Sequence, residues 1–437
     1  MQGTVLAPLK CSVSIDKIGK ETIEDMSSEL YKYRGCVTIP PLSMIDDVLA
    51  VTYCSSNSVK LNAMIGAKIN DKLLLLGEKK CASMHVGKKK ALCKELQING
   101  SSMKSSCKEQ YLGSTISSDG KNSQNILDRH NKGLGIVNQI MGLLKEVNFG
   151  HFYFEMALLF RNSMLINGML CSIEAVYGLK NTEIEQLELC DKYLFRKMFN
   201  SVSTTATEAF YLETGTLPLR FVISARRLMF FWSLLNKPET ELAKQVLLAQ
   251  MIAPTKDDWI CQVRKDLDDY NIELTDSEIS KMKKETFKNK ILKHVKEQAR
   301  NYLVKLKDSH SKSKRLNSSL NLQPYLKSTA LTLYEKQLLF KFRTFTYECK
   351  SNFRNKYKSN LNCEHCNTED TQQHLLNCSI ASDINKGNAT HENIFGSIDH
   401  QIEVLKVLKV IDQRRSLLAK KSSIPGSHVH LPVPHTH

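Results

Sequence analysis

The sequence predicts an α+β protein: a small antiparallel sheet with an accompanying helix near the N-terminus, then a mostly α-helical stretch, then a small metal-binding module. Three observations predict it. An aspartate pair, Asp46-Asp47, interrupts an otherwise apolar run from Leu42 to Val51. From Asn125 onward apolar residues recur close to helical spacing, as in Ile126, Ile136, Ile140, Leu143, Leu144 and Val147. Near the C-terminus, Cys363, Cys366, His374 and Cys378 stand in the pattern Cys-x2-Cys-x7-His-x3-Cys.

The aspartate pair is the most informative of these. Adjacent like charges in an apolar strand are costly, because desolvation and mutual repulsion both oppose them. A bound divalent cation removes that cost, so the stretch reads as a β-hairpin whose turn presents carboxylate oxygens to Mg²⁺ or Mn²⁺. A solvated Asp-Asp turn satisfies the same pattern. A helical pattern from about Ile15 to Tyr33 precedes the hairpin. Gly77-Glu78-Lys79-Lys80-Cys81 and Tyr111-Leu112-Gly113-Ser114-Thr115-Ile116 follow it.

In this order and at these distances, the pieces resemble the palm of a reverse transcriptase of the non-LTR (LINE-type) retrotransposon class. Gln2-Gly3 to Pro8 resembles the second half of motif B. Met44-Ile45-Asp46-Asp47 resembles motif C, with Met44 in the place of the usual aromatic. Lys79 or Lys80 resembles the motif D lysine, and Tyr111-Leu112-Gly113 the primer grip. The resemblance implies that Asp46 and Asp47 hold Mg²⁺ or Mn²⁺, with Asp46 the firmer ligand. It implies catalytic roles for Lys79 and Lys80, and template–primer contact by Gln2, Gly3, Tyr111, Leu112 and Gly113. It also implies that motif A, which supplies another metal-binding aspartate, and the fingers lie upstream of anything in this sequence. Two-metal phosphoryl transfer clamps both reacting oxygens. The expectation is therefore a partial palm that does not polymerise by itself.

Composition agrees with a polyanionic partner. The 437 residues carry a net charge of +16 and have a pI near 9.1, which suits nucleic acid or an anionic membrane surface. The membrane reading is the weaker one. The first residues lack the pattern of a signal peptide. The longest apolar stretch, Phe152 to Leu179, is interrupted by Glu155, Arg161, Asn162 and Glu174, as in buried helices rather than a bilayer span. The thirteen cysteines are odd in number and scattered, which points to a reducing, intracellular setting, cytoplasm and/or nucleus. Cys171 and Cys190, on helical patterns, read as buried apolar residues.

Along the chain the sequence divides into a palm-like part at 1–118 and a helical part at 119–200. A helical basic connector at 201–320, a zinc-knuckle region at 321–382 and a C-terminal helix with tail at 383–437 follow. Gly133 and Gly135 are expected to kink the helix from Asn125 to Val147 or split it in two. Further helices are expected over Phe152–Cys171 and Thr182–Phe199. The resemblance makes these the thumb; a plain helical bundle fits the same pattern. Phe230, Phe231 and Trp232 read as core rather than as a base-stacking platform.

Basic charge concentrates between Lys281 and Arg315, where thirteen lysines and arginines face only Glu285, Glu297 and Asp308, an excess of ten. Ile291, Leu292, Val295, Tyr302, Leu303 and Leu306 add an apolar stripe, so much of the segment reads as one amphipathic helix. Such a face is ordinarily just solvated, but this excess repels itself unless polyanions screen it. Lys290, Lys293 and Arg300 are the candidate phosphate contacts, which position a nucleic acid without reading its sequence. Ser309 to Asn321 reads as a flexible linker.

The Cys-x2-Cys-x7-His-x3-Cys spacing favours zinc. A Cys-x2-Cys turn aims two thiolates at one centre, and His374 and Cys378, four apart, share a face if 371–378 is helical. Cys363, Cys366, His374 and Cys378 are thus the expected ligands of a closed structural site. His365, inside the turn, is not expected to be one. Few apolar residues surround the motif, so the module is expected to need its metal to fold. A chance gathering of cysteines is the alternative. The motif resembles the C-terminal zinc knuckle of LINE-type polymerases, which implies binding of the element's nucleic acid. Lys350, Arg354, Lys356 and Lys358, interleaved with Phe353 and Tyr357, suit phosphate contact plus stacking. Gln401 to Lys420 reads as an amphipathic helix, and the tail from Lys421 as disordered.

Three functions fit these observations. One is a truncated LINE-type reverse transcriptase that binds RNA and DNA as template–primer and is inactive alone. Another is a full RNA-directed DNA polymerase with an N-terminally truncated gene model. The last is a non-enzymatic, zinc-dependent nucleic-acid-binding adaptor.

Overall fold

The computed structural model describes residues 7–44, 47–74, 77–87, 96–357, 360–385 and 389–422. The class is α+β, mostly helical with short strands. The first helix, α1 (Ala7–Met26), ends seven residues before Tyr33. The expected continuation is taken instead by a hairpin of β1 (Lys32–Tyr33) and β2 (Val37–Thr38). Arg34 and Gly35 turn it with φ of +52° and +73°, values a helix does not allow. β3 (Leu42–Met44) and β4 (Asp47–Leu49) form the next hairpin. Helix α2 (Ser55–Asp71) then packs on α1 through Ile15, Ile18, Met26, Leu30, Leu61, Ile65 and Ile69.

Six short strands follow: β5 (Ala82–Ser83), β6 (Gln97–Ile98), β7 (Ser101–Ser102), β8 (Lys104–Ser105), β9 (Lys108–Tyr111) and β10 (Ser114–Ser117). β6–β7 and β9–β10 are antiparallel hairpins, whereas β5 and β8 pair in parallel. Among the described residues, no sheet exceeds two strands. The expected small sheet is thus a set of separate ladders, each too short to share a face with the next.

Helix α3 (Ser123–Glu146) is one unbroken helix through Gly133 and Gly135. Ile126, Val137 and Ile140, all fully buried, outweigh the ~1 kcal/mol each glycine costs in a helix interior. The expected helix from Phe152 is interrupted. α4 (Tyr153–Phe160) runs into a π-helical turn at Arg161–Ile166 and then α5 (Asn167–Met169). Cys171 follows this end and is exposed, not buried as expected, while Cys190 is buried. α6 (Asn181–Phe199), α7 (Thr207–Thr214), α8 (Leu219–Leu235), α9 (Leu242–Ile252), α10 (Trp259–Asp269) and α11 (Asp276–Lys281) complete the middle. Phe231 is buried in α8 and Phe230 packs edge-on against Trp259, so the aromatic run is core.

The long basic helix is α12 (Lys284–Ser309), with Phe287, Ile291, Val295, Ala299 and Leu303 forming its buried stripe. After it the chain is not the expected loose linker. Ser313 is fully buried and donates to Glu208 at 2.5 Å; the Lys307 ammonium donates to Ser318 at 2.8 Å, and Arg300 to the Ser318 carbonyl at 3.1 Å. α13 (Pro324–Lys327), α14 (Leu333–Arg343), α15 (Gln372–Asn377) and α16 (Ile398–Ser422) follow. Among the described residues, no helix is long and apolar enough to cross a membrane.

The chain separates into two compact units, each made of three segments. Unit 1 comprises 1–135, 166–189 and 219–295; unit 2 comprises 136–165, 190–218 and 296–437. Unit 1 holds the hairpins and the α1–α2 core. A second core gathers on α8, where Arg227 pairs with Asp266 at 2.6 Å. Unit 2 is built on stacked aromatics, with Phe199 and Phe340 3.9 Å apart and Phe195 and Phe210 5.6 Å apart. Two ion pairs are sealed inside it. Arg161 donates to Asp191 from Nε at 2.7 Å and also to the Leu217 carbonyl at 3.0 Å. Arg343 forks onto Glu213 at 3.0 and 3.1 Å.

Candidate metal centre and nucleic-acid surface

The metal centre is built from two local structures that the sequence dictates. Around the Cys-x2-Cys turn, the Cys363 N–H donates to the Thr368 carbonyl at 2.7 Å and the Asn367 N–H to the Cys363 carbonyl at 2.9 Å. Asn367, at φ +59°, closes the turn in the left-handed region that asparagine tolerates. Thr371 then starts α15 by accepting the His374 N–H at 3.0 Å, which sets the imidazole at the helix's first turn. The helix ends at Asn377, so Cys378 does not share a helical face with His374. Cys378 is extended, with φ −69° and ψ 147°, and its thiol returns to the centre from outside the helix.

The ligand atoms of Cys363, Cys366, His374 and Cys378 all lie within 4.8 Å of one another. Cys363 and Cys378 sulfurs are 3.8 Å apart, and Cys366 and Cys378 sulfurs 3.6 Å. The Cys366 sulfur sits 3.1 Å from His374 Nε2. Tetrahedral Zn–S bonds of ~2.3 Å place sulfurs ~3.8 Å apart, close to the two sulfur separations from Cys378, so the cluster is of a size to hold a zinc ion. The donor set, three sulfurs and one imidazole nitrogen, is also one zinc favours, and it leaves no open position for catalysis. The Thr368 N–H lowers the pKa of Cys366, while burial pushes Cys378 up to about 11. His365 offers its backbone N–H to the Cys363 sulfur at 3.5 Å and lies outside the group of four.

This module is better packed than the sequence suggests. Leu375, Leu376, Ile380 and Ala381 are all buried. Asp370, 1% exposed, accepts both arms of Arg415 from α16 at 2.8 and 3.0 Å and the Lys350 N–H at 2.8 Å. Burial opposes its charge, but Arg415 and that N–H outweigh burial and hold the carboxyl below its ordinary value. Gln372 adds a bond to the Phe342 carbonyl at 2.8 Å. Sequence reasoning missed Asp370 and Arg415 because nothing local links residues 45 positions apart.

The basic candidates divide. Lys293, Arg300, Arg354 and Lys356 are exposed, and Lys290 is half-buried. Arg354 pairs with Glu369 at 2.7 Å and Lys356 with Glu348 at 3.3 Å, both at the surface. Lys350 is buried and faces Glu364 at 3.3 Å, so it is not the free phosphate contact expected of it. Lys358 lies outside the described residues.

In unit 1, Met44 and Asp47 pair across the β3–β4 hairpin, so Asp47 opens a strand directly after the turn. Asp46 and Ile45 lie outside the described residues, as do Gln2 and Gly3. The Tyr111 hydroxyl donates to the Leu42 carbonyl at 3.0 Å, across 69 positions of sequence. Burial, and then the charge on Asp47, raises the pKa of Tyr111. Leu112 and Gly113 turn the β9–β10 hairpin with φ of +48° and +77°, and Leu112 is exposed. Positive φ at both positions is the geometry of a two-residue hairpin turn, ordinarily filled by Asn-Gly. Lys79 and Lys80 lie on a short 3-10 turn at Glu78–Lys80, both exposed, with no described bond to the hairpin. Among the described residues, Asp47 belongs to no group of three metal-ligating side chains. No protein-family model matches this chain, and neither does any curated protein sequence.

Proposed function

We propose that this protein binds nucleic acid through its basic surface and zinc module, and that its N-terminal unit is a partial reverse-transcriptase palm of the LINE type. One observation carries the palm reading: the hydroxyl of the Tyr-Leu-Gly hairpin donates to the backbone of the Asp-Asp hairpin. The resemblance implies that these two motifs, a catalytic turn and a primer grip, lie near one another. The exposed Leu112, next to Tyr111 and held at positive φ, adds to it, since such strain concentrates at functional positions. Binding itself rests on the exposed, unpaired basic residues between Lys281 and Lys314.

On this reading the chain grips RNA or an RNA–DNA duplex without extending a primer. A lone aspartate hairpin does not hold two ions. The test has two arms. Fluorescence anisotropy with a 20-nucleotide RNA should give binding whose log K falls against log[salt] with a slope of roughly −4, for five or six phosphate contacts. Absent or salt-insensitive binding would defeat the nucleic-acid reading and favour a protein adaptor. Primer extension with Mg²⁺ should give no product above that of the Asp46→Ala, Asp47→Ala double variant. Incorporation above that control would show a working polymerase.

A further inference from the structure

Unit 2 contains a polar cavity of about 350 Å³ that none of the motifs explains. It is of a size to hold one nucleotide-sized group. Arg315, Gln323, Arg343, Phe395, Ser397 and Gln401 are among the residues that line it, and no carboxylate does. Gln401 is 5% exposed. Its Nε2 donates to the Gly396 carbonyl at 3.0 Å, yet its Oε1 is buried with no hydrogen-bond partner. The donated bond fixes which way the amide faces, so the orphan is an acceptor. A buried acceptor without a donor costs ~1–3 kcal/mol. That cost disappears if a ligand hydroxyl or amine enters.

The rest of the lining favours an anion next to that donor. Arg343 is already neutralised by Glu213 and donates to the Ile394 carbonyl at 2.9 Å, so it shapes the floor. Arg315 is different. It gives Nη1 to Glu392 at 2.7 Å and to His391 at 3.1 Å, and no described bond uses its Nε or Nη2. Its side chain is 49% exposed and that of Glu392 75%, and a surface pair of this kind yields readily to a competing anion. The 25-residue helix α16 begins at the cavity wall with Ile398, directing the positive end of its dipole there. Asp399 in its first turn partly offsets that field.

We infer that this cavity takes one nucleotide of an RNA strand, with its phosphate on Arg315 and the α16 N-terminus and its ribose 2′-hydroxyl donating to Gln401 Oε1. A 2′-hydroxyl is the group that distinguishes RNA from DNA. The inference rests on the nucleic-acid-binding reading above and goes beyond it by placing a site and a preference.

The test uses the whole 437-residue chain with an RNA and a DNA 20-mer of one sequence, plus 5′-AMP and 5′-dAMP as competitors. RNA should bind several-fold more tightly than DNA, and 5′-AMP should displace the RNA at lower concentration than 5′-dAMP. Gln401→Met should bring the RNA-to-DNA ratio to one while DNA affinity holds. Arg315→Ala, at the surface, should weaken both strands. If Gln401→Met fails to fold, the AMP-against-dAMP comparison on the unaltered protein decides alone. Equal binding of RNA and DNA, or a preference that survives Gln401→Met, would overturn the inference while leaving nucleic-acid binding intact. Absence of all binding would overturn both. Displacement by 5′-AMP without any RNA preference in the 20-mers would mean a free-nucleotide site and would also overturn it.

Discussion

Zinc binding to this protein should release between two and three protons near pH 7. Three thiols and one imidazole converge on the centre, and only the thiolate binds the metal. An unperturbed thiol, with a pKa of about 8.5, still holds its proton at pH 7. Burial keeps Cys378 protonated far above that, at about 11, so it surrenders a full proton. Cys366 is pulled down by the Thr368 N–H and surrenders less. The sign follows: protons compete with zinc, so affinity climbs with pH and is lost as pH falls. Each released proton contributes one decade of affinity per pH unit, so the apparent constant should rise about two to three decades between pH 6.5 and 7.5. Competition with a chromophoric chelator across that range measures the slope, and calorimetry in two buffers of different ionisation enthalpy counts the protons. Cys366→Ser should flatten the slope, because a serine hydroxyl keeps its proton across this range. A slope of one or less would mean that at most one cysteine coordinates, and the tetrahedral centre would have to be abandoned. Binding free energy of structural zinc is on the order of 10 kcal/mol, comparable with the whole stability of a domain. Chelation should therefore deprotect residues 361–381 to hydrogen exchange before the aromatic core of unit 2.

Other perturbations test the remaining structure. Arg415→Met leaves Asp370 buried and unpaired and should cost ~3–5 kcal/mol in urea unfolding. Because the Asp370 carboxyl is held below its ordinary value in the folded state, its contribution is present above about pH 4 and lost as pH falls through the lower folded value, which an acid titration of the variant against the parent would show. Arg161→Met should cost a similar ~3–5 kcal/mol, and adding Asp191→Leu should recover most of it, since the orphaned carboxylate rather than the lost pair dominates the penalty. A double-mutant cycle reads this, and no recovery would show that the pair itself matters. Leu112→Gly should raise stability by ~1 kcal/mol by relieving the left-handed backbone. If the hairpin grips a primer, the same change should weaken binding of an RNA–DNA duplex; a variant equal to the parent in both respects would remove any special role for this tip.

Much of this was legible in the sequence, for reasons that differ by element. The Cys3His cluster was readable because a metal site imposes spacing on few residues, and His365, inside the turn, lies outside that cluster. The helices α6 and α12 were readable because their buried stripes repeat at helical period. What failed did so where a distant partner decides. α1 stops at Met26 because Lys32–Tyr33 pairs with Val37–Thr38, and no local pattern weighs a ladder against a helix. α3 survives two glycines through burial that only the fold supplies. The stretch after α12 looked loose because it is rich in serine and lysine, yet Ser313 is buried against Glu208, more than a hundred positions earlier. Lys350 was read as a phosphate contact from its neighbours, and its burial depends on Asp370 and Glu364.

The same distinction governs how the net charge should be used. Arg161, Arg227, Arg343 and Arg415 spend their charge inside the protein on Asp191, Asp266, Glu213 and Asp370, and so say nothing about partners. Within the basic segment, Lys307 is buried, and Lys288 and Arg315 are matched by Glu285 and Glu392. Lys290 and Lys312 are half-buried, and what remains is Lys281, Lys283, Lys284, Lys293, Lys296, Arg300, Lys305 and Lys314, all exposed and without a described ion pair. These eight are the ones whose mutual repulsion a polyanion relieves. Converting them through ~0.7 per phosphate of a single strand gives a ceiling near −6 for the salt slope, so the expected value of roughly −4 requires most of them to engage one strand at once. The nucleic-acid reading therefore depends on where the unpaired lysines stand, and not on the total charge of the chain.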